Sequence, residues 1–331
     1  MLIPLNNNKI ILVTGGLGFI GSNLIIHLLE KYKDYLIVNV DSITYAADLN
    51  NLNDVENHPN YHFVKCDIRD KSKLEEIFKE FNPHGIFHLA AESHVDNSIE
   101  NPTIFAETNV IGTLNLLNLA LKYKTKRFLH ISTDEVYGSL DMDSPSSHEN
   151  SLYLPRSPYS ASKASSDHFV LSYFHTFGLD VVMTNCSNNF GPRQHEEKLI
   201  PTVIKNLYNR TEIPVYGDGK NIRDWLYVDD HCRALDSVFH NGTSGQKYNI
   251  GGDMELSNID LITFMCKNFD ELTGNVDSQN LISFVKDRAG HDFRYSINHD
   301  KITTDLGWWP VYSFEDSINE TIKYYIKKYE L

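Results

Sequence analysis

Cysteine is scarce in this chain: 331 residues hold four, Cys66, Cys186, Cys232 and Cys266. They lie far apart, with no C-x-x-C pair and no histidine at ligand spacing, which argues against a disulfide framework and against a zinc site. Buried free thiols in a reducing compartment are expected instead. The segment Met1 to Asn8 lacks the basic start, long apolar stretch and cleavage site of a signal peptide, and no unbroken apolar run approaches the roughly 18 residues of a membrane span. The chain therefore reads as cytoplasmic, without a membrane partner. Positive charge is also short: 30 Lys+Arg stand against 44 Asp+Glu, a formal net charge of -14. That is the wrong sign for nucleic-acid binding through the overall field. An anionic ligand would have to meet cations gathered locally. Internal repeats and low-complexity segments are missing as well.

What is present is the composition of a folded protein. Hydrophobic residues make up 41%, charged residues 22% and aromatics 11%, enough to build a sizeable core. At roughly 150 residues per domain the length suits two domains, or one large α/β unit with an appendage. Through the first half, short β-branched runs alternate with segments of helical period. Strands are expected at 10–14, 36–40, 61–66, 85–90, 127–132 and 180–184, with helices at 18–31, 72–81, 102–123 and 158–177. This alternation predicts a Rossmann-like, doubly wound parallel sheet covered by helices. After Asn185 the rhythm breaks into Gly- and Pro-rich segments with shorter helices, which predicts a smaller C-terminal lobe.

The first strand runs into Gly15-Gly16-Leu17-Gly18-Phe19-Ile20-Gly21, which satisfies both G-x-G-x-x-G and G-x-x-G-x-x-G. Glycines at Gly15, Gly18 and Gly21 let the backbone turn tightly and approach a pyrophosphate at the positive helix N-terminus. A lone match is weak, since a Gly-rich turn has the same look. Here Asp41 follows the second strand, about 20 residues beyond Gly21, where a carboxylate accepts hydrogen bonds from the adenosine ribose. No Arg or Lys lies between Ser42 and Asp48 to neutralise a 2′-phosphate, so NAD is favoured over NADP.

Tyr159-Ser-Ala-Ser-Lys163 is a Y-x-x-x-K element in a predicted helix, where a spacing of four puts both side chains on one face. There an ammonium lowers the phenol's pKa and binds a nicotinamide ribose. The spacing also occurs at Tyr61/Lys65, Tyr216/Lys220 and Tyr324/Lys328. Of these, the first falls in a strand, the second in a Gly turn and the third in the C-terminal tail, so Tyr159/Lys163 is preferred. At the end of the fifth strand stands Ser132-Thr133-Asp134-Glu135-Val136-Tyr137-Gly138. In an arbitrary loop Asp134 and Glu135 would read as a solvated cap. At the carboxyl end of a strand, two adjacent carboxyl groups in different environments serve as acid and base.

With these motifs the sequence resembles an extended short-chain dehydrogenase/reductase, and more narrowly the nucleotide-sugar 4,6-dehydratases of the dTDP-glucose 4,6-dehydratase kind. The resemblance runs nearly end to end. It is carried by the Gly15–Gly21 loop, Asp41-Ser-Ile-Thr-Tyr-Ala, His88-Leu-Ala-Ala-Glu-Ser-His-Val-Asp, Thr133-Asp-Glu, Tyr159-Ser-Ala-Ser-Lys, Asn188-Asn-Phe-Gly-Pro, Glu197-Lys-Leu-Ile-Pro, Arg223-Asp-Trp-Leu-Tyr-Val and Asp287-Arg-Ala-Gly-His. It implies that Phe19, Ile20, Asp41, Ser42, Ile43, Thr44, Asp67, Ile68, Leu89, Ala90, Ala91, Ser93, Thr108, Tyr159, Lys163 and Asn189 surround NAD. It also implies that Ser93, Thr133, Asn188, Lys198, Leu199, Pro214, Val215, Tyr216, Arg223, Asn258, Asp287, Arg288 and His291 hold a sugar nucleotide. Lys198, Arg223 and Arg288 would be the local cations, arginine forks suiting a diphosphate.

Asn97, Ala289 and Phe293 depart from the usual Arg, Pro and Arg, which leaves dTDP and UDP open as the nucleotide. The implied activity is NAD-dependent dehydration of an NDP-glucose to the 4-keto-6-deoxyglucose nucleotide, a step in deoxysugar and rhamnose biosynthesis. Thr133, Asp134, Glu135, Tyr159 and Lys163 would be the catalytic set. Residues 1–187, with 222–250 returning, would form the NAD-binding domain, and 188–221 with 251–331 the sugar-nucleotide lobe. A UDP-sugar 4-epimerase needs the same NAD site but no acid/base pair, and a non-catalytic NAD-binding sensor has no use for Thr133, Tyr159 and Lys163 together. The helices at 102–123 and 158–177 carry apolar residues on more than one face, among them Ile104, Phe105, Ile111, Leu116, Leu119, Phe169, Tyr173 and Phe174. In proteins of this resemblance the corresponding helices pair with their symmetry mates, so a homodimer through a four-helix interface is expected.

Overall fold

The computed structural model describes residues 9–287 and 291–330. In chain order the elements are β1 (Lys9–Thr14), α1 (Phe19–Lys31), β2 (Tyr35–Asp41), β3 (Tyr61–Lys65), α2 (Lys71–Phe81), β4 (Gly85–His88), α3 (Val95–Glu100), α4 (Pro102–Phe105), a π-helical segment (Ala106–Gly112) and α5 (Thr113–Lys122). There follow β5 (Arg127–Thr133), a 3-10 turn (Asp134–Tyr137), α6 (Pro158–Phe177), β6 (Val181–Cys186), β7 (Asn188–Phe190), α7 (Leu199–Asn209), β8 (Ile213–Tyr216), β9 (Ile222–Tyr227) and α8 (Val228–Asn241). The chain closes with β10 (Lys247–Ile250), β11 (Glu255–Ser257), α9 (Asn258–Thr273), β12 (Ile282–Val285), α10 (Asp300–Leu306) and α11 (Phe314–Glu330).

Seven strands form one sheet in the order β10-β6-β5-β4-β1-β2-β3, and every pairing in it is parallel. A parallel sheet is covered on both faces, so its strands read as continuous apolar runs; β2 is buried at all seven positions. One face packs Leu24, Leu28, Leu235 and Phe239 of α1 and α8, and the other Phe78, Leu116 and Val170 of α2, α5 and α6. The order reverses between β1 and β4, the switch point at which ligands lie in such sheets. The helix expected at 158–177 is found with those bounds: Ser157 and Ser160 form a capping box, Pro158 occupies the first turn, and Gly178 ends it in the left-handed conformation.

The helix expected at 102–123 is interrupted by the π-helical segment, a feature frequent at functional sites. The stretch Pro102–Lys122 is also long and apolar enough by composition to cross a membrane, although polar residues break its apolar runs and so hide that property from a search for unbroken ones. Its Phe105, Leu116, Leu117 and Leu119 are buried in this chain's own core. The four cysteines are buried and free.

Beyond the large sheet, β7, β9 and β11 form a second sheet, and β8 pairs with β12. These pack with α7, α9 and α11 around a separate core that includes Phe190, Val203, Met265, Phe269 and Tyr325. Of the returning segment, β10 joins the large sheet and α8 covers it, whereas β9 pairs within the second sheet.

Candidate active site

A cleft of about 330 Å³ opens over the carboxyl ends of β1, β2, β4, β5 and β6. Its floor is the glycine loop. Gly15 has φ +72°, and a Cβ there would lie 2.8 Å from the Ala90 backbone; a Cβ at Gly21 would meet the Gly15 carbonyl oxygen at 2.2 Å. The loop therefore hugs β4 as tightly as a pyrophosphate-binding turn requires. Asp41, buried at the end of β2, accepts hydrogen bonds from Leu17 N at 3.0 Å and Ile43 N at 2.8 Å. Its carboxylate thus fixes the loop as well as facing the cleft. These features fit a dinucleotide.

Of the residues expected around the cofactor, Gly15, Gly18, Phe19, Ile20, Gly21, Asp41, Ser42, Thr44, Asp67, Ile68, Leu89, Ala90, Ala91, Ser93, Thr108, Tyr159, Lys163 and Asn189 line this one cleft. Ile43 does not. It sits at φ +58°, rare for a β-branched residue, and packs its side chain on the core.

Thr133, Asp134 and Glu135 stand where β5 passes into the 3-10 turn, on the same wall as Tyr159 and Lys163. Thr133 Oγ1 lies 3.3 Å from Asp134 Oδ1 and accepts from Glu135 N at 3.3 Å. Burial, with the Glu135 and Asp224 carboxylates, pushes the Asp134 carboxyl well above its ordinary value, which favours its protonated form. Burial and Glu135 likewise push the Tyr159 phenol up, against a hydrogen bond with Thr133. Lys163 Nζ donates to Ile131 O at 2.8 Å, and burial lowers its ammonium. The expected lowering of the phenol by Lys163 is therefore not what the protein alone provides: the phenol goes up.

Asn188 and Lys198 reach the cleft, and Lys198 Nζ donates to Ser93 O at 3.3 Å across its mouth. Ser93 and Thr133, expected to touch the sugar nucleotide as well, also line the cleft, and the remaining residues expected to hold a sugar nucleotide lie elsewhere. Arg223 is buried, donates to Ile222 O at 2.7 Å and Asp292 O at 3.0 Å, and stacks over Tyr295. Its charge still reaches Asp134. Tyr216, Asp287 and His291 gather beside β8, with Asp287 Oδ1 2.7 Å from His291 Nδ1. Pro214 is exposed on β8, but Val215 points into the second core and Leu199 packs against it. Val215 faces away from Pro214 and Tyr216 because alternate strand positions face opposite sides, and Leu199, at the start of α7, turns its side chain to the same core. Asn258 opens α9, and its N donates to Asn221 O at 3.0 Å. Arg288 lies outside the described residues. Glu92, Cys186, His195 and Glu197 also line the cleft, although the sequence did not single them out as site residues. Glu92 and Glu197 stand inside the motifs that carry the resemblance, whereas nothing local marks Cys186.

The family described as GDP-mannose 4,6 dehydratase matches residues 12–321. The chain belongs to this family. Within it, dTDP-glucose 4,6-dehydratase from Haemophilus influenzae is 46% identical over 96% of this chain and 97% of its own length. The crystal structure of dTDP-glucose 4,6-dehydratase from Streptomyces venezuelae with NAD and TYD bound superposes with a TM-score of 0.91 at 43% identity, covering 97% of this chain and 98% of that one. A UDP-glucose 4-epimerase from Thermotoga maritima shares the fold at a TM-score of 0.87 but only 30% identity, over 97% and 99% of the two chains. The family thus supports the dehydratase expectation over the epimerase.

Proposed function

We propose that this chain is an NAD-dependent dTDP-glucose 4,6-dehydratase, a hydro-lyase that converts the sugar nucleotide to its 4-keto-6-deoxyglucose form and water. The observation that carries this reading is the carboxyl pair Asp134 and Glu135 on one wall of a dinucleotide-shaped cleft with Tyr159 and Lys163. An epimerase or a sensor has no work for that pair.

The reaction divides among these residues. Thr133 hydrogen-bonds the sugar O4, and Tyr159 takes the O4 proton. The Gly15–Gly21 loop, Asp41 and Lys163 would hold NAD, which would supply the hydride acceptor for C4, the hydride for C6 and a positive charge favouring the Tyr159 phenolate. The 4-ketone makes the C5 proton acidic; Glu135 removes it and later returns it. Asp134, whose proton affinity is raised by burial and its carboxylate neighbours, gives its proton to the departing C6 hydroxyl. Lys198, Arg223 and Arg288 supply the cations for the diphosphate, and Tyr216, Asp287 and His291 form the outer part of the substrate site.

Residues 1–187, with part of 222–250, form the NAD-binding half, and 188–221 with 251–331 the sugar-nucleotide lobe. The four free cysteines suit a reducing cytoplasm. A homodimer through α5 and α6 is supported by exposed Ile111 and Phe169 on the two helical stretches. Phe105, Leu116, Leu119 and Tyr173 do not contribute, since all four are buried within the chain. Separate incubation with dTDP-glucose and UDP-glucose tests the reading. A 4-keto product from dTDP-glucose is expected, and no product from either refutes it.

A further inference from the structure

Beneath the cleft one carboxylate is buried where charge is costly. Asp167 sits on α6 one turn beyond Lys163 and two beyond Tyr159, and is 1% exposed. Its Oδ2 accepts from Ser132 Oγ and Tyr153 OH, each at 2.9 Å, and from Asn185 Nδ2 at 3.4 Å, while Oδ1 lies 3.2 Å from His130 Nε2. Two of these partners lead directly to the catalytic strand end. Ser132 precedes Thr133 in β5, and Asn185 Nδ2 also donates to Thr133 O at 3.0 Å.

Burial raises Asp167, but the His130 ring nitrogen 3.2 Å from its Oδ1 and the nearby Lys163 charge outweigh it and leave the carboxyl below its ordinary value. His130 is itself held at about 4 by burial and Lys163, so at neutral pH it is an uncharged ring. The cations that feel Asp167 are Lys163 and, from β10, Lys247. Lys163 is buried with it, whereas Lys247 is half-buried over the Tyr153 ring.

We propose that Asp167 is a positioning residue for the dehydration: its carboxylate is the counter-charge that keeps Lys163 an ammonium and, through Ser132 and Asn185, fixes the end of β5 against the helix carrying Tyr159. The inference rests on the roles given above to Tyr159 and Lys163. Burial pulls the Lys163 ammonium down, and Asp167 is the strongest group opposing it; Cys186 on β6 acts in the same direction more weakly. His88 on β4 and His130 on β5, both neutral, are the other titratable rings that sense the Lys163 charge. Without Asp167 the buried ammonium gives up its proton at lower pH, because a neutral amine is the form that burial favours.

The test compares Asp167→Asn, Asp167→Glu and Ser132→Ala with the parent chain. Lys163 is titrated by NMR of the side-chain nitrogen in the protein without substrate, kcat and KM for dTDP-glucose are followed against pH, and thermal unfolding is recorded. In Asp167→Asn the Lys163 titration and the alkaline limb of kcat should both move down by about one pH unit or more, with KM changed less than about twofold; Asp167→Glu should restore part of the shift. Ser132→Ala keeps the carboxylate, so it should lower kcat and leave the Lys163 titration in place. An unmoved Lys163 titration in Asp167→Asn, or a kcat reduced by the same factor at every pH, makes Asp167 a packing residue and overturns the proposal. Should Asp167→Asn fail to fold, Asp167→Glu decides: a Lys163 titration displaced from that of the parent chain upholds the proposal, and an unmoved one overturns it. Loss of the dehydratase reading itself would show instead as a parent chain that makes no 4-keto product, whatever the NMR titration reads.

Discussion

Lys163 Nζ lies 2.8 Å from the carbonyl oxygen of Ile131, so the ammonium on α6 is fastened to β5 two residues before Thr133. The protein by itself leaves the Tyr159 phenol high, raised by burial and Glu135. Tyr159→Phe should therefore abolish the first oxidation, with kcat lower by at least roughly 10²- to 10⁴-fold. No absorbance of reduced cofactor should appear on mixing with substrate. A normally active Tyr159→Phe enzyme would move the base elsewhere.

Asp134→Asn and Glu135→Gln should separate the two halves of the reaction. Each removes a proton-transfer group worth roughly 10²- to 10⁴-fold, while C4 oxidation survives, so stopped-flow spectra should show reduced cofactor building up on the enzyme. Full dehydration rates in both variants would return the pair to a solvated cap.

Asp41→Ala should weaken NAD binding and reduce discrimination against NADP, because it removes a ribose acceptor and a like-charge barrier to a 2′-phosphate. It also strips Leu17 N and Ile43 N of their acceptor, a loss of about 1–3 kcal/mol if both stay buried. Calorimetric titration with both cofactors measures the first effect and thermal unfolding the second. Unchanged NAD affinity would contradict the ribose role.

Asp236, on α8, binds α1 on the face of the sheet that the two helices share. Burial pushes its carboxyl up, but hydrogen bonds from His240, His27, Lys31 and Tyr32 outweigh that and leave it well below the usual carboxylate range. A carboxyl depressed in the folded state adds stability that is present above its unfolded pKa of about 3.9 and is lost as pH falls toward the folded value. Asp236→Asn should cost about 1–3 kcal/mol at neutral pH, and denaturant titrations should show the gap to the parent chain closing below about pH 4. A gap of constant size would mean that packing alone is involved.

Ile111 and Phe169 are 51% and 40% exposed on the two helical stretches expected to pair. Ile111→Glu with Phe169→Glu should convert a dimer to a species near the 38.0 kDa of one chain by light scattering at micromolar concentration. A parent chain already at that mass would end the dimer reading.

Much of this fold is legible in the order of its residues. The parallel sheet declares itself through continuous apolar runs, since strands covered on both faces have no polar side to alternate with. The helix at 158–177 is readable to the residue because its capping Ser157, Pro158 and Gly178 are local signals. The π-helical interruption at Ala106–Gly112 is not, because hydrophobic period over some twenty residues averages across a local change in winding. The buried role of Val215 on β8 is also hidden, since the motif around it names a neighbourhood and not a side-chain direction.

The amino-acid sequence determined the chemistry on offer: a glycine loop after the first strand, an acidic residue after the second, and Thr133-Asp134-Glu135 and Tyr159/Lys163 at fixed spacing. These are properties of adjacent residues, which covalent order guarantees. Tertiary structure decided how that chemistry is tuned. Asp134 is pushed above its ordinary value because it is buried and feels Asp224 as well as its neighbour Glu135, and Asp224 is 90 residues away along the chain. Asp167, unmarked in the sequence, acquired its place only when β5, β6 and the segment bearing Tyr153 closed around it. Proton affinity depends on the dielectric and on charges within a few ångströms, and those are set by which distant segments pack together.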